Sequence, residues 1–196
     1  MPERKILILD GHPAERSLSR LFADTYASAA RRAGFDVKVL HLSALEFDAD
    51  FGQGTYHSFK PLEPDLRDFM DKVAWADHFV LIAPMWWGGL PARLKGLFDR
   101  AFVPGLAFDP RNKKHGMPSP LLTGRSARFI VTSDTPMWAL RLMYRRAILF
   151  AVHGQILRFV GMKPRRPLWF SGASDADDGR IARWVGQVEK AGLLGA

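Results

Sequence analysis

The sequence predicts an α/β fold: a doubly wound parallel sheet of five strands in a single domain spanning residues 1–196. Three observations carry that expectation. Short apolar, β-branched runs recur along the chain, segments with apolar residues at helical spacing separate them, and the junctions are rich in glycine, proline and hydroxyl side chains. Five strands alternating with helices suit the spatial order 2-1-3-4-5.

The first strand is Lys5 to Asp10, and it runs into the loop Gly11-His12-Pro13-Ala14-Glu15-Arg16-Ser17-Leu18-Ser19. A helix follows, with Leu18, Leu21, Phe22, Thr25 and Ala29 on its inner face, Ser17 as N-cap and Gly34 just past its end. Phe35 to Leu40 alternates and reads as the second strand. Residues 41–61, with Gly52, Gly54 and Pro61, read as a long excursion holding one short helical turn. Leu66, Phe69, Met70, Val73 and Ala74 mark a second helix begun near Pro64, and His78 to Ala83 is a fully buried third strand.

A strand-to-helix crossover, Pro84-Met85-Trp86-Trp87-Gly88-Gly89-Leu90-Pro91, comes next, where an open parallel sheet binds its ligands. Two tryptophans bracketed by prolines offer wide aromatic walls for a flat, conjugated ligand, although such residues also serve as core or interface aromatics. The helix of Ala92 to Phe102 turns Leu94, Leu97, Phe98 and Ala101 inward and leaves Arg93, Lys95 and Arg100 outward. Val103 to Gly124 lacks periodicity and reads as a second long loop. Ser126 to Ser133 is the fourth strand, and Asp134 reads as the cap of the helix that Pro136 opens. Met137 to Val160 is apolar nearly all round, which suits packing against its own domain and a second subunit. Arg166 to Ser171 is the fifth strand, and Ile181, Trp184, Val185 and Val188 mark the final helix.

Composition excludes several chemistries. The chain has no cysteine, so disulfides, thiolate catalysis and cysteine-ligated metal fall away. No apolar run reaches the roughly 18 residues of a membrane span and the N-terminus lacks a signal-peptide core, so a soluble cytoplasmic protein is expected. The net charge of +8 is uneven: residues 1–90 carry −3 and residues 91–196 carry +11. That excess suits an anionic cofactor or an acidic partner; it lacks the glycine and aromatic interleaving of a nucleic-acid module, and no nucleic acid is expected.

The first loop lacks both the G-x-G-x-x-G pattern and the lysine of a phosphate loop. It offers instead the hydroxyls of Ser17 and Ser19, Arg16, the His12 imidazole and the free N–H groups of a helix start, together an anion site. The plainer reading leaves Ser17 as a cap and His12 on the surface.

Three segments, KILILDGHPAERSLS, APMWWGGLPARLKGLFDRAFVPGLAF and GRSARFIVTSDTPMWALRLMY, carry a resemblance to the flavodoxin-like NAD(P)H:quinone oxidoreductases of the DT-diaphorase type, bacterial branch. The resemblance implies a tightly bound flavin, FMN or FAD. His12, Arg16, Ser17, Leu18 and Ser19 would hold its phosphate end. Pro84, Met85, Trp86, Trp87 and Gly88 would supply backbone N–H groups and walls to its ring, and Thr132, Ser133, Asp134 and Thr135 would line its other edge. It further implies hydride transfer from NADH or NADPH to the flavin and on to a quinone-like acceptor in alternating occupancy. Tyr144 and His153 are the nearest candidates to assist that transfer, against the plainer reading of a packed aromatic and a helix-surface histidine. A homodimer is expected, with Met137 to Val160 and the 103–124 loop near its interface. Some bacterial relatives act as accessory subunits of potassium-efflux systems, which gives the alternative function.

Overall fold

The computed structural model describes residues 4–52, 55 and 58–195; Gly54 of the long excursion lies outside them. The strands are β1 (Lys5–Asp10), β2 (Asp36–His41), β3 (His78–Pro84), β4 (Phe108–Lys114), β5 (Met117–Pro120), β6 (Ser126–Ser133), β7 (Lys163–Pro164) and β8 (Leu168–Ser171). The helices are α1 (Leu18–Arg32), α2 (Pro64–Trp75), α3 (Ala92–Ala101), α4 (Met137–Leu142), α5 (Ala147–Leu149) and α6 (Asp178–Leu193). A 3-10 turn covers Leu42–Ala44, and a π-helical segment, Phe150–Arg158, continues α5.

The main sheet is parallel and its order is β2-β1-β3-β6-β7, with β8 also pairing β6. It therefore has six strands, and the expected five in the order 2-1-3-4-5 are not matched. The reason lies at the edge beyond β6. Ala127 faces Pro164 and Ile130 faces Leu168, so the edge chain takes one residue more than β6 over the same rise. Pro164 and Pro167 can donate no ladder hydrogen bond, and the edge breaks into two short pieces there.

Alternation along the strands makes two cores. Leu7, Leu9, Phe79, Leu81, Phe129 and Val131 face α2, α3 and the 147–160 region, while Ile6, Ile8, Val80, Ile82 and Ile130 face α1 and α6. Helix α1 approaches α6 so closely that a Cβ on Gly192 would stand 2.7 Å from the Tyr26 carbonyl oxygen. The inner face of α1 is Phe22, Ala23, Tyr26, Ala27 and Ala30; the expected Leu21 is 41% exposed.

Two further expectations are corrected. The 103–124 stretch is not all loop, because β4 and β5 pair antiparallel across His115 and Gly116, both at positive φ as a tight hairpin turn requires. Arg100 does not face outward. It is 1% exposed, donating to both Glu63 carboxylate oxygens at 3.1 and 2.9 Å and to the Asp48 and Pro61 carbonyls at 2.7 and 3.0 Å. Burial pushes the Glu63 carboxyl up, but the Arg100 guanidinium together with backbone N–H donors outweighs it and holds the group below the usual carboxylate range. The excursion before α2 is thereby pinned to α3.

Candidate functional site

β1, β3 and β6 all end at the same edge of the sheet, and their loops meet there. The first loop leaves β1 at Gly11, whose N–H donates to the Ile82 carbonyl at 2.7 Å. A Cβ at Gly11 would stand 2.6 Å from Leu94 Cδ2, so only glycine lets the chain turn out beneath α3. Buried Asp10 then shapes the turn, accepting the His12 N–H at 3.2 Å and facing His41 Nδ1 at 3.2 Å. Burial raises the Asp10 carboxyl above its ordinary value, against the lowering effect of those two histidines. The His12 Nδ1 accepts the Ala14 N–H at 3.0 Å, which places the ring proton of the neutral form on Nε2, and the ring meets Trp86 edge-on at 5.5 Å.

Ser17 caps α1 as expected, its hydroxyl accepting the Arg20 N–H at 3.0 Å. The Leu18 and Ser19 amides, in the first turn, have no carbonyl of the helix to receive them. His12, Arg16, Ser17, Leu18 and Ser19 line one hollow of about 190 Å3 together with Pro84, Thr132, Ala173 and Ser174. Ser19 is 1% exposed and its hydroxyl oxygen, buried at this hollow, has no protein partner.

The crossover after β3 is a tight reverse turn. Trp86 and Gly89 exchange both backbone hydrogen bonds at 2.9 Å, and Trp87 and Gly88 between them sit at φ 50° and 76°. This corrects the expected set of donors. Pro84 has no N–H, that of Met85 goes to the Thr132 carbonyl at 2.7 Å, and that of Trp86 is used in the turn, leaving Trp87 and Gly88.

Beside this turn lies a cavity of about 540 Å3, lined by Met85, Trp87, Gly88, Asp134, Thr135, Leu140, Tyr144, Ala147 and Ile148. Asp134 does not cap α4, whose N-cap is Pro136. Its carboxylate turns to Ser174, accepting the backbone N–H at 2.7 Å and the hydroxyl at 2.9 Å. The segment after β8 is thereby tied to the end of β6. Ser133 faces away from the cavity lining and accepts Trp169 Nε1 at 3.0 Å. Of the two candidate assistants, Tyr144 lines the cavity, half exposed. His153 does not; it packs edge-on against Phe129 in the π-helical segment, and burial followed by Arg158 pushes its ring below the ordinary value.

Sequence reasoning missed Asp10, His41, Ala173, Ser174, Leu140, Ala147 and Ile148. Asp10 alone had a local signal, a carboxylate at the very end of an apolar strand. The expectation that Met137 to Val160 has an apolar second side has its counterpart on the surface: Trp138, Leu142, Met143, Tyr144 and Phe150 are all more than half exposed beside the cavity.

The polar hollow and the aromatic-walled slot thus lie together at the carboxyl edge of an open α/β sheet, where such folds bind their ligands. The chain belongs to the flavodoxin-like fold family, which it matches over residues 4–191. An FMN-dependent NADH:quinone oxidoreductase of Ruegeria pomeroyi is 32% identical over 133 residues, 60% of this chain and 63% of that protein. A ribosyldihydronicotinamide dehydrogenase [quinone] of Pongo abelii is 29% identical over 128 residues, 56% of this chain and 55% of that protein. The chain thus spans little more than half the length of the curated relatives it matches. In fold it is similar to an NAD(P)H:quinone oxidoreductase from Methanothermobacter marburgensis, with a TM-score of 0.81 at 22% identity, covering 99% of this chain and 100% of that one.

Proposed function

We propose that this protein is a flavin-dependent NAD(P)H:quinone oxidoreductase of the cytoplasm, a single flavin-binding domain that works as a homodimer. One observation carries the reading: a fully buried Ser19 hydroxyl without a protein partner, in a hollow whose other walls are His12, Arg16 and the first turn of α1. A buried hydroxyl left unpaired is costly, and a phosphate oxygen is the acceptor this surround of N–H donors and positive charge favours. The hollow is of single-phosphate size and continues, past Pro84 and Thr132, toward the larger slot. FMN fits that geometry better than FAD, and the Ruegeria relative is named as FMN-dependent.

When bound, the flavin supplies a two-electron carrier between NADH or NADPH and a quinone-like acceptor. The chain supplies the rest. Arg16, Ser17, Leu18, Ser19 and the His12 Nε2–H would hold the phosphate end, and Trp87 and Gly88, whose amides are not spent in the turn, would supply donors to the ring. Thr132 and Thr135 flank the other side. Asp134 lines the slot, and its two carboxylate oxygens are engaged by the Ser174 N–H and hydroxyl, which would temper its charge beside the ring. Tyr144 stands where a phenol can hold or pass a proton at the acceptor. The exposed apolar side chains of the 138–150 region would close the slot against water when a second subunit covers them. The reading as an accessory subunit of a potassium-efflux system gains no support from the likenesses above.

The test is the visible absorption spectrum of freshly purified protein, with mass analysis of what heat releases. A flavin band bleached by NADH or NADPH and restored by benzoquinone is expected, with FMN as the released species. No band, before or after incubation with either flavin, overturns the reading.

A further inference from the structure

The opposite edge of the sheet, where β3, β6 and β7 begin, collects positive charge that the flavin site does not use. Two adjoining hollows open there. One, of about 440 Å3, is lined by Arg4, Asp77, Arg125, Ser126, Lys163 and Arg165 among others. The other, of about 340 Å3, is lined by Arg158, Gly161 and Met162, and shares Lys163 and Pro164 with the first. β3 separates this edge from the flavin site by seven residues, roughly 20 Å of strand.

Positive side chains outnumber acidic ones in this lining. Among the described residues, Arg4, Arg125, Arg158, Lys163 and Arg165 form no ion pair with a carboxylate. Asp77, the acid in the lining, has an oxygen engaged by the Lys5 N–H at 3.0 Å. Arg125 donates from each of its three guanidinium nitrogens, to the Val73, Thr123 and Ala74 carbonyls. Arg4 donates to the Ser126 hydroxyl at 2.7 Å, while Lys163, Arg158 and Arg165 have heads free for a ligand. The effect reaches the core: His78, wholly buried beneath this edge, is pushed down to about 3, first by burial and then by Arg4, Arg128 and Arg165. Burial holds Arg128 below its ordinary value as well. Ser126 lies 2.8 Å from His78 Nδ1.

We propose that the paired hollows form a binding site for a small diphosphate-bearing anion. Cations that outnumber the one carboxylate of the lining, Asp77, are relieved by a multiply charged ligand, and guanidinium forks match phosphate oxygens in pairs. Lys163 stands on the shared wall, able to reach an anionic group in either lobe, with Arg165 and Arg4 on one side and Arg158 on the other. The walls are concave, and each lobe is of small-molecule size, which favours a compact anion over the extended surface of an acidic protein. The source of the diphosphate, free pyrophosphate or a nucleoside diphosphate, is a matter of what lies beyond the shared phosphates.

Calorimetric titration of the purified full chain, with the flavin it retains, tests this. Pyrophosphate, ADP and inorganic phosphate are compared at low and high salt. Saturable binding of pyrophosphate or ADP is expected, at least about tenfold tighter than phosphate, and weakened about tenfold by Lys163→Ala or Arg165→Ala. Arg183→Ala, on α6, leaves it unchanged. ADP binding more tightly than pyrophosphate identifies a nucleotide source, and equal or weaker binding identifies the free anion. Flavin content and NADH oxidation stay unaltered in the Lys163 and Arg165 variants, so failure here is separable from failure of the reductase reading. Equal binding of all three anions, insensitivity to both substitutions, or binding only of a polyglutamate peptide overturns the proposal.

Discussion

The two edges of the sheet are both positive, by different means. At the carboxyl edge the attraction for anions comes from backbone: the first-turn amides of α1, the loop N–H groups and one guanidinium, Arg16, with Asp10 and Asp134 drawn aside into hydrogen bonds. At the amino edge it comes from side chains: Arg4, Arg158, Lys163 and Arg165 crowd together over a buried imidazole. Backbone dipoles are fixed when the fold forms and do not titrate, so they suit a cofactor that must be held in one geometry. Side-chain charge is salt-sensitive, and here it also disfavours a proton on the imidazole buried beneath it. The difference should be visible in acid.

His78 provides the largest effect. Its ring in the folded chain titrates at about 3, below the 6.5 of an unperturbed histidine, so the unfolded chain takes up the proton first as pH falls. The folded state is therefore fully favoured above 6.5 and loses stability steadily between 6.5 and about 3. The full loss is about 4–5 kcal/mol. Denaturant midpoints across that range should show the decline in the parent chain and a flattened profile in His78→Phe. A parallel decline in the variant would mean that the imidazole is not the group responsible, and the contrast between the two edges would weaken. Pyrophosphate should shallow the decline by offsetting the arginines.

Legibility in the sequence follows the same division between what is local and what is assembled. β1, β3 and β6 could be read because each carries a short apolar, β-branched run, ILIL, FVLIA and FIV, that is buried on both faces. The hairpin of β4 and β5 could not, since it lies outside the main sheet and its strands, FDPRNKK and MPSP, are polar and proline-broken without an apolar alternation. At the edge, the reading of Arg166 to Ser171 as a strand overlaps β8 but leaves out β7, because the Lys163–Pro164 piece is a matter of register against β6, which no local pattern records. Arg100 looked like one more outward cation of α3; its partner Glu63 lies 37 residues earlier, beyond any window of periodicity. In the site, the contiguous loop residues His12 to Ser19 and Met85 to Gly88 were legible. His41, Ser174 and Ile148 come from separate elements and meet only in the fold.

The exposed apolar ring beside the slot gives the next effect. Trp138→Glu combined with Phe150→Glu should convert a dimer to monomers in sedimentation and weaken flavin retention and turnover about 30-fold, as removal of roughly 2 kcal/mol of central interface contacts does. Both residues are well exposed in one subunit, at 62% and 72%, so the thermal midpoint at low concentration should hardly move. An unaltered dimer would show that the carboxyl edge is complete without this face. A smaller effect is expected at Ser17→Ala, which deletes the hydrogen bond to the Arg20 N–H. It should cost about 1 kcal/mol of stability and weaken FMN binding, while pyrophosphate binding at the other edge stays as it was.

Trp87 offers the smallest effect and a change of sign. It is 105% exposed and sits at φ 50°, a conformation a bulky residue adopts at a cost of about 1–2 kcal/mol. Nothing within the single chain repays that cost, since the side chain covers little. Asn-Gly is the pair a two-residue turn of this kind prefers, and Trp87→Asn writes it beside Gly88. The substitution should raise the stability of flavin-free protein by about 0.5–1 kcal/mol while impairing flavin and acceptor binding at the slot Trp87 lines. Thermal midpoints of the stripped and loaded forms separate the two consequences. A variant less stable without flavin would place Trp87 in the structural framework; one more stable without flavin and weaker with it would mark the strain as held for the ligand.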